Sequence, residues 1–360
     1  MKKILFAGFP CTRFSIAQKK DRESLPYTGE GWELFYNALL AKEKFNPDFF
    51  LFENNYSISQ QIKDEVSKLL GTDYIMINAA LVSAQTRKRV YWTNWDNTQP
   101  QDRGILLKDI LEFSKSVVEK EKAYCLCTDH MGTTRDYFKK HQSQVVFEPV
   151  RIGTIENNSK NKGHDSQQYR VYSCYGKSVC LCGGGGGIGA KTGLYFTPLP
   201  QELERLVCDK GKIYEIKDGF INIKVGKFPC NMPDGYYLIR KLTVREAARL
   251  QTMPDYYFDI DNISDTQKYR GIGNGWCAEV IIHLLKEGLK DVSRDEELQV
   301  LSMYDGIGTA MYCLKQLGFT NIKYKAYEID KYAIHIAQYN HPEIIQCGDA
   351  FQLRNDNWSY

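Results

Sequence analysis

Apolar positions along this chain alternate between two periods. Lys3 to Gly8 form a short buried-strand run that stops at Gly8-Phe9-Pro10. Residues 31–44 carry Trp32, Leu34, Phe35, Leu39 and Leu40 at helical spacing, and Pro47 ends that element. Phe49 to Phe52 read as a second buried strand, residues 58–70 as an amphipathic helix, and Tyr74–Ile77 and Val90–Trp92 as two further strands. Strands alternating with helices predict a parallel sheet covered on both faces.

Between about 120 and 238 the rhythm breaks. This stretch is rich in Tyr, Gly, Asn and Ser and has short strand-like pieces such as Ile221–Val225. Five consecutive glycines run from Gly183 to Gly187, with another at Gly189. A smaller, irregular, mostly β domain is expected here. Helical spacing returns over 243–252, with Thr243 as N-cap and Glu246 three residues on, and again over 276–287. Polar residues 290–297 read as a linker. Beyond them come a strand (298–303), the turn Tyr304-Asp305-Gly306-Ile307-Gly308, a helix (309–317), a strand (323–327) ending before Glu328, a helix (331–339) and a short strand (344–346). The two ends of the chain thus look like two halves of one sheet.

Composition changes this picture little. At 360 residues, 43% hydrophobic and 25% charged, the chain is that of a folded protein with room for two domains. No apolar run approaches the ~20 residues of a membrane helix. The apolar run after Lys2 and Lys3 is too short for a secretion signal, so a cytoplasmic protein is expected. Eleven cysteines, an odd and scattered set, suggest free thiols rather than a disulfide framework. Net charge is only +3, but residues 151–240 hold 13 Lys+Arg against 8 Asp+Glu, or +5, leaving −2 for the remainder. A mildly basic middle hints at a polyanion partner.

Candidate chemistry sits at predicted strand tips. In the C-terminal half, Asp305-Gly306-Ile307-Gly308 between strand and helix would place glycine amides at a helix N-terminus, where a ligand can come close to the backbone. Glu328 closes the next strand, where a carboxylate can take ribose hydroxyls, and Asp349 follows the third. Together they suggest a nucleoside cofactor, without distinguishing NAD from S-adenosylmethionine. In the N-terminal half, Cys11 follows the first strand and Glu53 ends the second. Arg87 and Arg89 alternate ahead of a third, so on an extended chain they share a face. A lone cysteine is more often a buried structural residue, but nucleophile, acid and paired guanidiniums on neighbouring tips form a constellation.

Gly8-Phe9-Pro10-Cys11 with Phe14-Ser15, then Glu53-Asn54, then Gln85-x-Arg87-x-Arg89, resembles motifs IV, VI and VIII of the cytosine-5 DNA methyltransferases. Arg240 to Gln251 resembles their motif IX, Gly271-Ile272-Gly273-Asn274-Gly275-Trp276 motif X, Tyr304 to Gly308 motif I, Glu328 the acid of motif II, and Gly348-Asp349 motif III. The Asp-Gly of motif I and the Trp of motif X are most similar to the animal de novo enzymes and their phage and bacterial relatives. The family's order normally runs I to X; here it runs IV, VI, VIII, recognition domain, IX, X, I, II, III, a circular permutation. Smaller departures are Asn55 where Val is usual and Cys180-Leu181 where Thr-Leu is common.

The resemblance implies a Rossmann-like class I methyltransferase α/β sheet assembled from both chain ends, plus a small mostly-β target-recognition domain. The expected parts are a catalytic half (1–119), the recognition domain (120–238), motifs IX and X (239–289), a linker (290–297) and the cofactor-binding half (298–360). It implies that Cys11 attacks cytosine C6, that Glu53 serves the ring at N3, and that Arg87 and Arg89 hold the ring O2 and Glu53. A methyl group then passes from S-adenosyl-L-methionine to C5, leaving S-adenosyl-L-homocysteine; a base removes the C5 proton, and Cys11 is expelled from C6. The base must first leave the duplex. Expected cofactor residues are Pro10, Asn274, Trp276, Tyr304, Asp305, Gly306, Ile307, Gly308, Thr309, Glu328, Ile329 and Asp349. The expected partner is double-stranded DNA, with no membrane, no metal and the oligomeric state open, in a bacterial or phage setting. A tRNA cytosine-5 methyltransferase and a catalytically silent DNA-binding homologue are the competing readings. The second Phe-Pro-Cys, at Phe228–Cys230, is read as structural. Cys125-x-Cys127 and Cys180-x-Cys182 lack the usual Cys-x2-Cys zinc spacing and read as core thiols. The glycine run beside Lys177, Lys191 and Thr192 could approach phosphates.

Overall fold

The computed structural model describes residues 1–10, 14, 25–112, 151–154, 170–173, 176–181, 194–198, 212–223, 226–229, 234–240, 242–356 and 358. From the N-terminus the larger body comprises β1 (Lys2–Ala7), α1 (Gly29–Phe45), β2 (Phe49–Asn55), α2 (Gln60–Leu70), β3 (Tyr74–Asn78) and β4 (Lys88–Thr93). The smaller body supplies β5 (Arg151–Thr154), β6 (Arg170–Ser173), β7 (Leu194–Pro198), β8 (Lys212–Lys217), β9 (Phe220–Ile223), β10 (Gly226–Pro229) and β11 (Gly235–Arg240). The chain then returns through α3 (Val244–Leu250), α4 (Asp265–Asn274), α5 (Ala278–Gly288), β12 (Leu298–Met303), α6 (Thr309–Gln316), β13 (Ile322–Tyr327), α7 (Lys331–Asn340) and β14 (Ile345–Gly348).

Local signals set the element ends. Asn46 stops α1 with φ of 50°, its N–H on Lys42 O. Ser59 caps α2 through Ile62 N, and Gly71, at φ of 72°, closes it. The Thr243–Glu246 capping box forms in both directions, at 3.1 and 2.8 Å. The polar residues 290–297 contain no helix or strand before β12.

The strands of the larger body make one sheet in the order β14-β13-β12-β1-β2-β4-β3. The first five are mutually parallel, and β4 runs antiparallel to both β2 and β3. The expectation of an all-parallel sheet is therefore corrected at one strand. The connection from Ala79 to Arg87 is too short for the dozen or more residues a parallel crossover needs, so β4 turns back on β3. The sheet is otherwise that of a Rossmann-like class I methyltransferase. Helix α4 is an element that periodicity misses: its sequence holds Gly271 and Gly273 and only a thin apolar stripe.

β1 lies beside β12, from which chain order runs outward both ways, to β2 and to β13. The parallel strand tips on either side of this reversal open onto one crevice, the usual ligand position in such sheets. One core lies on each face. Leu5, Phe50, Phe52 and Trp92 belong to one, and Ile4, Phe6, Leu51 and Tyr91 to the other, as strand alternation requires.

The smaller sheet has the order β10-β9-β8-β11-β7-β6-β5 and is antiparallel apart from the β6–β7 pair. The strand expected through Ile221–Val225 is the hairpin arm β9, paired with β10. Leu181, Tyr172 and Tyr195 carry the core of the larger body into this sheet.

Candidate active site

Register brings the first group together. β2 and β4 pair Glu53 with Tyr91 and Asn55 with Arg89, so Arg89 stands diagonally across from Glu53 on the same face. Arg89 Nε is 3.0 Å from Glu53 Oε1. The other carboxylate oxygen, Oε2, accepts the indole N–H of Trp276 at 3.0 Å. Trp276 reaches it because position 8 is glycine: a Cβ there would meet the indole at 3.1 Å. The indole also lies edge-on to Phe6, at 6.2 Å. Glu53 is 8% exposed, so these charge-assisted bonds form largely out of water.

The loop after β1 is anchored next to this carboxylate. Buried Asn54 donates to Phe9 O at 2.9 Å, tying the tip of β1 to that of β2. Phe9 and Phe14 are both buried and meet edge-on at 6.3 Å. Between them in sequence lies Cys11, which falls outside the described residues.

Arg87 takes partners other than those expected. Rather than joining Arg89 on Glu53, its guanidinium caps the C-terminal end of α4. Nη2 donates to Gly273 O at 3.1 Å and Gly275 O at 2.9 Å, and Nη1 to Leu181 O at 3.0 Å. A helix C-terminus presents unpaired carbonyls and partial negative charge, which a buried guanidinium satisfies. Buried Gln251 adds donors to Ile272 O and Gly275 O, and Gln85 in turn donates to Gln251. This polar knot fixes the chain just before Trp276, and so aims the indole at Glu53. The physical reason for the departure is position: Arg87 precedes β4, beyond the last rung of the ladder.

The C-terminal tips form the second group. Tyr304, at φ of 61°, sends its hydroxyl to Leu34 O at 2.8 Å. Asp305 Oδ1 accepts from Tyr324 at 2.6 Å, whereas its buried Oδ2 has no partner. Burial and the nearby charge of Glu328 push this acid from its ordinary 3.8 to about 6, against the opposing hydroxyls of Ser302 and Tyr324. The Glu328 carboxylate is held by backbone: Gly306 N on Oε2, and Ile329 N and Asp330 N on Oε1, each at 2.8 Å. Three of about four acceptor positions are thus filled, leaving one on Oε2.

The two turn glycines differ. Gly308 has φ of 78°, and a Cβ would sit 3.2 Å from Ala337 on α7, so it serves packing. Gly306 has φ of 63° and nothing within 4 Å of its Cβ position. Thr309, buried at the start of α6, carries a hydroxyl without a partner. Ile329 is 73% exposed beside Glu328. Pro10 is half-buried at the tip of β1, Asn274 is exposed at the end of α4, and buried Ile307 takes the Tyr257 hydroxyl on its carbonyl at 2.8 Å. Asp349 accepts from Phe351 N with Oδ1, starting a short 3-10 turn.

The smaller body docks beside Glu53 through residues 176–181. Ser178 N donates to Ala84 O at 2.6 Å and Thr86 N to Ser178 O at 2.9 Å. Lys177, the lysine ahead of the glycine run, is 1% exposed and gives its ammonium to the carbonyls of Ala80, Ser83 and Ile105. Burial pulls its pKa down. It is a staple between the two bodies and has no donor to offer a phosphate. A lysine beside a glycine run gave no sign of this. Cys125, Cys127, Cys182, Cys230 and the glycine run lie outside the described residues, whereas Cys180 is described. Among the described residues no group of three or more His, Cys, Asp or Glu could hold a metal.

A Rossmann-like sheet with a glycine turn at its switch point and acids on consecutive strand tips defines a nucleotide-type methyltransferase scaffold. A family model of C-5 cytosine-specific DNA methylases matches residues 1–290, and the chain belongs to that family. The type II methyltransferase M.HpaII of Haemophilus parainfluenzae is 26% identical over 299 residues, covering 77% of this chain and 69% of the relative. M.HhaI of Haemophilus parahaemolyticus is 25% identical over 307 residues, covering 79% and 73%. A Spodoptera frugiperda DNMT2 mutant structure aligns over 79% of this chain and 78% of its own, at 16% identity and a TM-score of 0.38. The protein is a DNA (cytosine-5-)-methyltransferase, in a family that uses S-adenosylmethionine as methyl donor.

Proposed function

We propose that the enzyme methylates C5 of a flipped-out cytosine within a specific sequence of double-stranded DNA, through a covalent bond from Cys11 to C6. The observation that carries this reading is the Glu53 carboxylate, buried and oriented by Arg89 and Trp276, next to the tip of β1, which Asn54 ties down at Phe9, two residues before Cys11 in the sequence. Cytosine C5 is a poor nucleophile. A thiolate adding at C6 breaks the aromaticity and makes C5 enamine-like. Charge building on the ring is met at N3 by Glu53, in a place from which water is largely excluded. Arg89 keeps Glu53 in register, and Arg87 acts at one remove, by fixing the backbone before Trp276.

S-adenosylmethionine, when bound, supplies an electrophilic methyl group. The residues around the crevice fit it: a glycine turn open at Gly306, unpartnered polar atoms on Asp305 and Thr309, a carboxylate with one remaining acceptor on Glu328, and an exposed apolar side chain on Ile329. In this reading Glu328 takes one ribose hydroxyl, Ile329 covers an adenine face, and Asp349 with Pro10 borders the crevice.

We further infer that the motif order is a circular permutation. The family model spans residues 1–290, and residues 298–360 supply β12, β13 and β14, which complete the same sheet beside β1. The body built from β5 to β11 is assigned target recognition, with 120–238 as its extent. The type II names of the relatives favour a bacterial or phage modification enzyme. Incubation with duplex DNA and with tRNA, using tritiated S-adenosylmethionine and then base-resolved sequencing, tests the reading. Label at C5 of one recurring duplex motif supports it; label confined to tRNA, or to adenine, overturns it.

A further inference from the structure

We propose that Cys180 is a positioning residue of the methyl-transfer site: its sulfur, carried on the docked segment of the smaller body, holds the Arg89 guanidinium where it pairs with Glu53. The inference rests on the reading of Glu53 as the carboxyl that meets the target ring. Sγ lies 3.4 Å from Arg87 Nη1 and 3.9 Å from Arg89 Nη2, while Arg89 Nε is 3.0 Å from Glu53 Oε1. Two guanidiniums and two acidic groups therefore alternate: Glu53, Arg89, Cys180, Arg87.

The ends of this row are fixed and Arg89 is what they fix. Arg87 is bound to three backbone carbonyls. The sulfur is held by the Ser178 bridge and the Lys177 staple. Arg89 uses Nε toward Glu53, Nη1 toward Lys88 O at 2.9 Å and Nη2 toward Cys180, so contacts at all three nitrogens of a planar fork set the plane of the group. Without the sulfur the fork keeps Nε on Glu53 and Nη1 on Lys88 O, and its Nη2 edge loses the Cys180 contact.

The sulfur has two states with different consequences. Protonated, the thiol donates to Leu181 O at 3.4 Å. Deprotonated, it accepts from both guanidiniums, which a thiolate does far better than a thiol. Burial pushes the thiol up, but Arg87 and Arg89 together hold it below its ordinary value. The other titratable group within electrostatic reach of it is Tyr195 of the smaller sheet. Burial raises the Tyr195 hydroxyl far enough to stay neutral.

The test is steady-state kinetics of the full-length protein on duplex DNA over about pH 6 to 9, with DNA affinity and melting temperature measured on the same preparations. Cys180→Ala should lower kcat about tenfold, the equivalent of one charge-assisted hydrogen bond, with KM for DNA unchanged. It should also lose the limb of the wild-type kcat profile that follows the thiol. Cys180→Asp, a permanent anion, should recover most of kcat without that limb. Wild-type kcat with the limb intact in Cys180→Ala overturns the proposal. So does a loss confined to KM for DNA, which would put the sulfur against the nucleic acid. An aspartate variant no better than alanine, with melting temperature falling in step, also overturns it. Glu53→Gln separates the layers: if it is inactive while Cys180→Ala is normal, only this proposal fails. If Glu53→Gln keeps wild-type kcat, the reading of Glu53 falls and takes the proposal with it.

Discussion

Asp305 makes the cofactor half of the crevice respond to pH in a direction the structure determines. The perturbation is Asp305→Asn, which keeps the acceptor for Tyr324 and removes the titration. Burial and Glu328 raise the folded-state value to about 6 from 3.8. The folded protein thus prefers the protonated acid. Its contribution is fully present below about pH 4 and is lost as pH rises through about 6. A shift of about two units at 1.36 kcal/mol each gives roughly 3 kcal/mol in all, of which about 2 kcal/mol falls between about pH 4.5 and 7.5. Urea unfolding of both proteins without cofactor, across that range, is the assay. Wild-type stability should drop relative to the variant by about that amount as pH rises, because one unpartnered oxygen is being ionised out of water. Parallel pH curves for the two proteins would refute the argument.

Two further changes separate packing from chemistry. Gly308→Ala should cost stability by about 1–3 kcal/mol, since its Cβ crowds Ala337 at positive φ. Gly306→Ala should cost about 1 kcal/mol, yet weaken S-adenosylmethionine binding by calorimetry, because its Cβ enters open space; equal affinities in the two variants would contradict the assignment. Trp276→Phe leaves a ring on Gly8 but removes the donor to Glu53, so kcat should fall roughly ten- to a hundredfold with melting temperature nearly unchanged. A wild-type rate would detach Trp276 from the carboxylate.

Strand tips were legible because they rest on short-range rules. Buried runs ending in glycine or acid place Glu53, Gly306, Glu328 and Asp349 at one sheet edge, and that is where they stand. Side-chain direction was less legible. Alternation correctly gave Arg87 and Arg89 a common side, and both reach Cys180, but it could not foresee that the C-terminus of α4 would capture Arg87. That helix was itself invisible, since its glycines carry no apolar period and its end is stabilised by residues distant in sequence, Gln251 and Arg87. The buried role of Lys177 was hidden for the same reason. Three carbonyls from two separate loops create its site, and no local pattern announces them.

The central claim is a covalent bond between Cys11 and the target base, and duplex DNA carrying 5-fluorocytosine at the methylated site tests it most directly. Methyl transfer would proceed, but fluorine cannot leave as a cation, so Cys11 stays attached. The account predicts a complex that survives denaturing electrophoresis, forms only with S-adenosylmethionine, disappears in Cys11→Ser and persists in Cys230→Ser, because a serine hydroxyl is far less ionised than a thiol. An adduct that survives in Cys11→Ser and maps by peptide mass to Cys230 would contradict it.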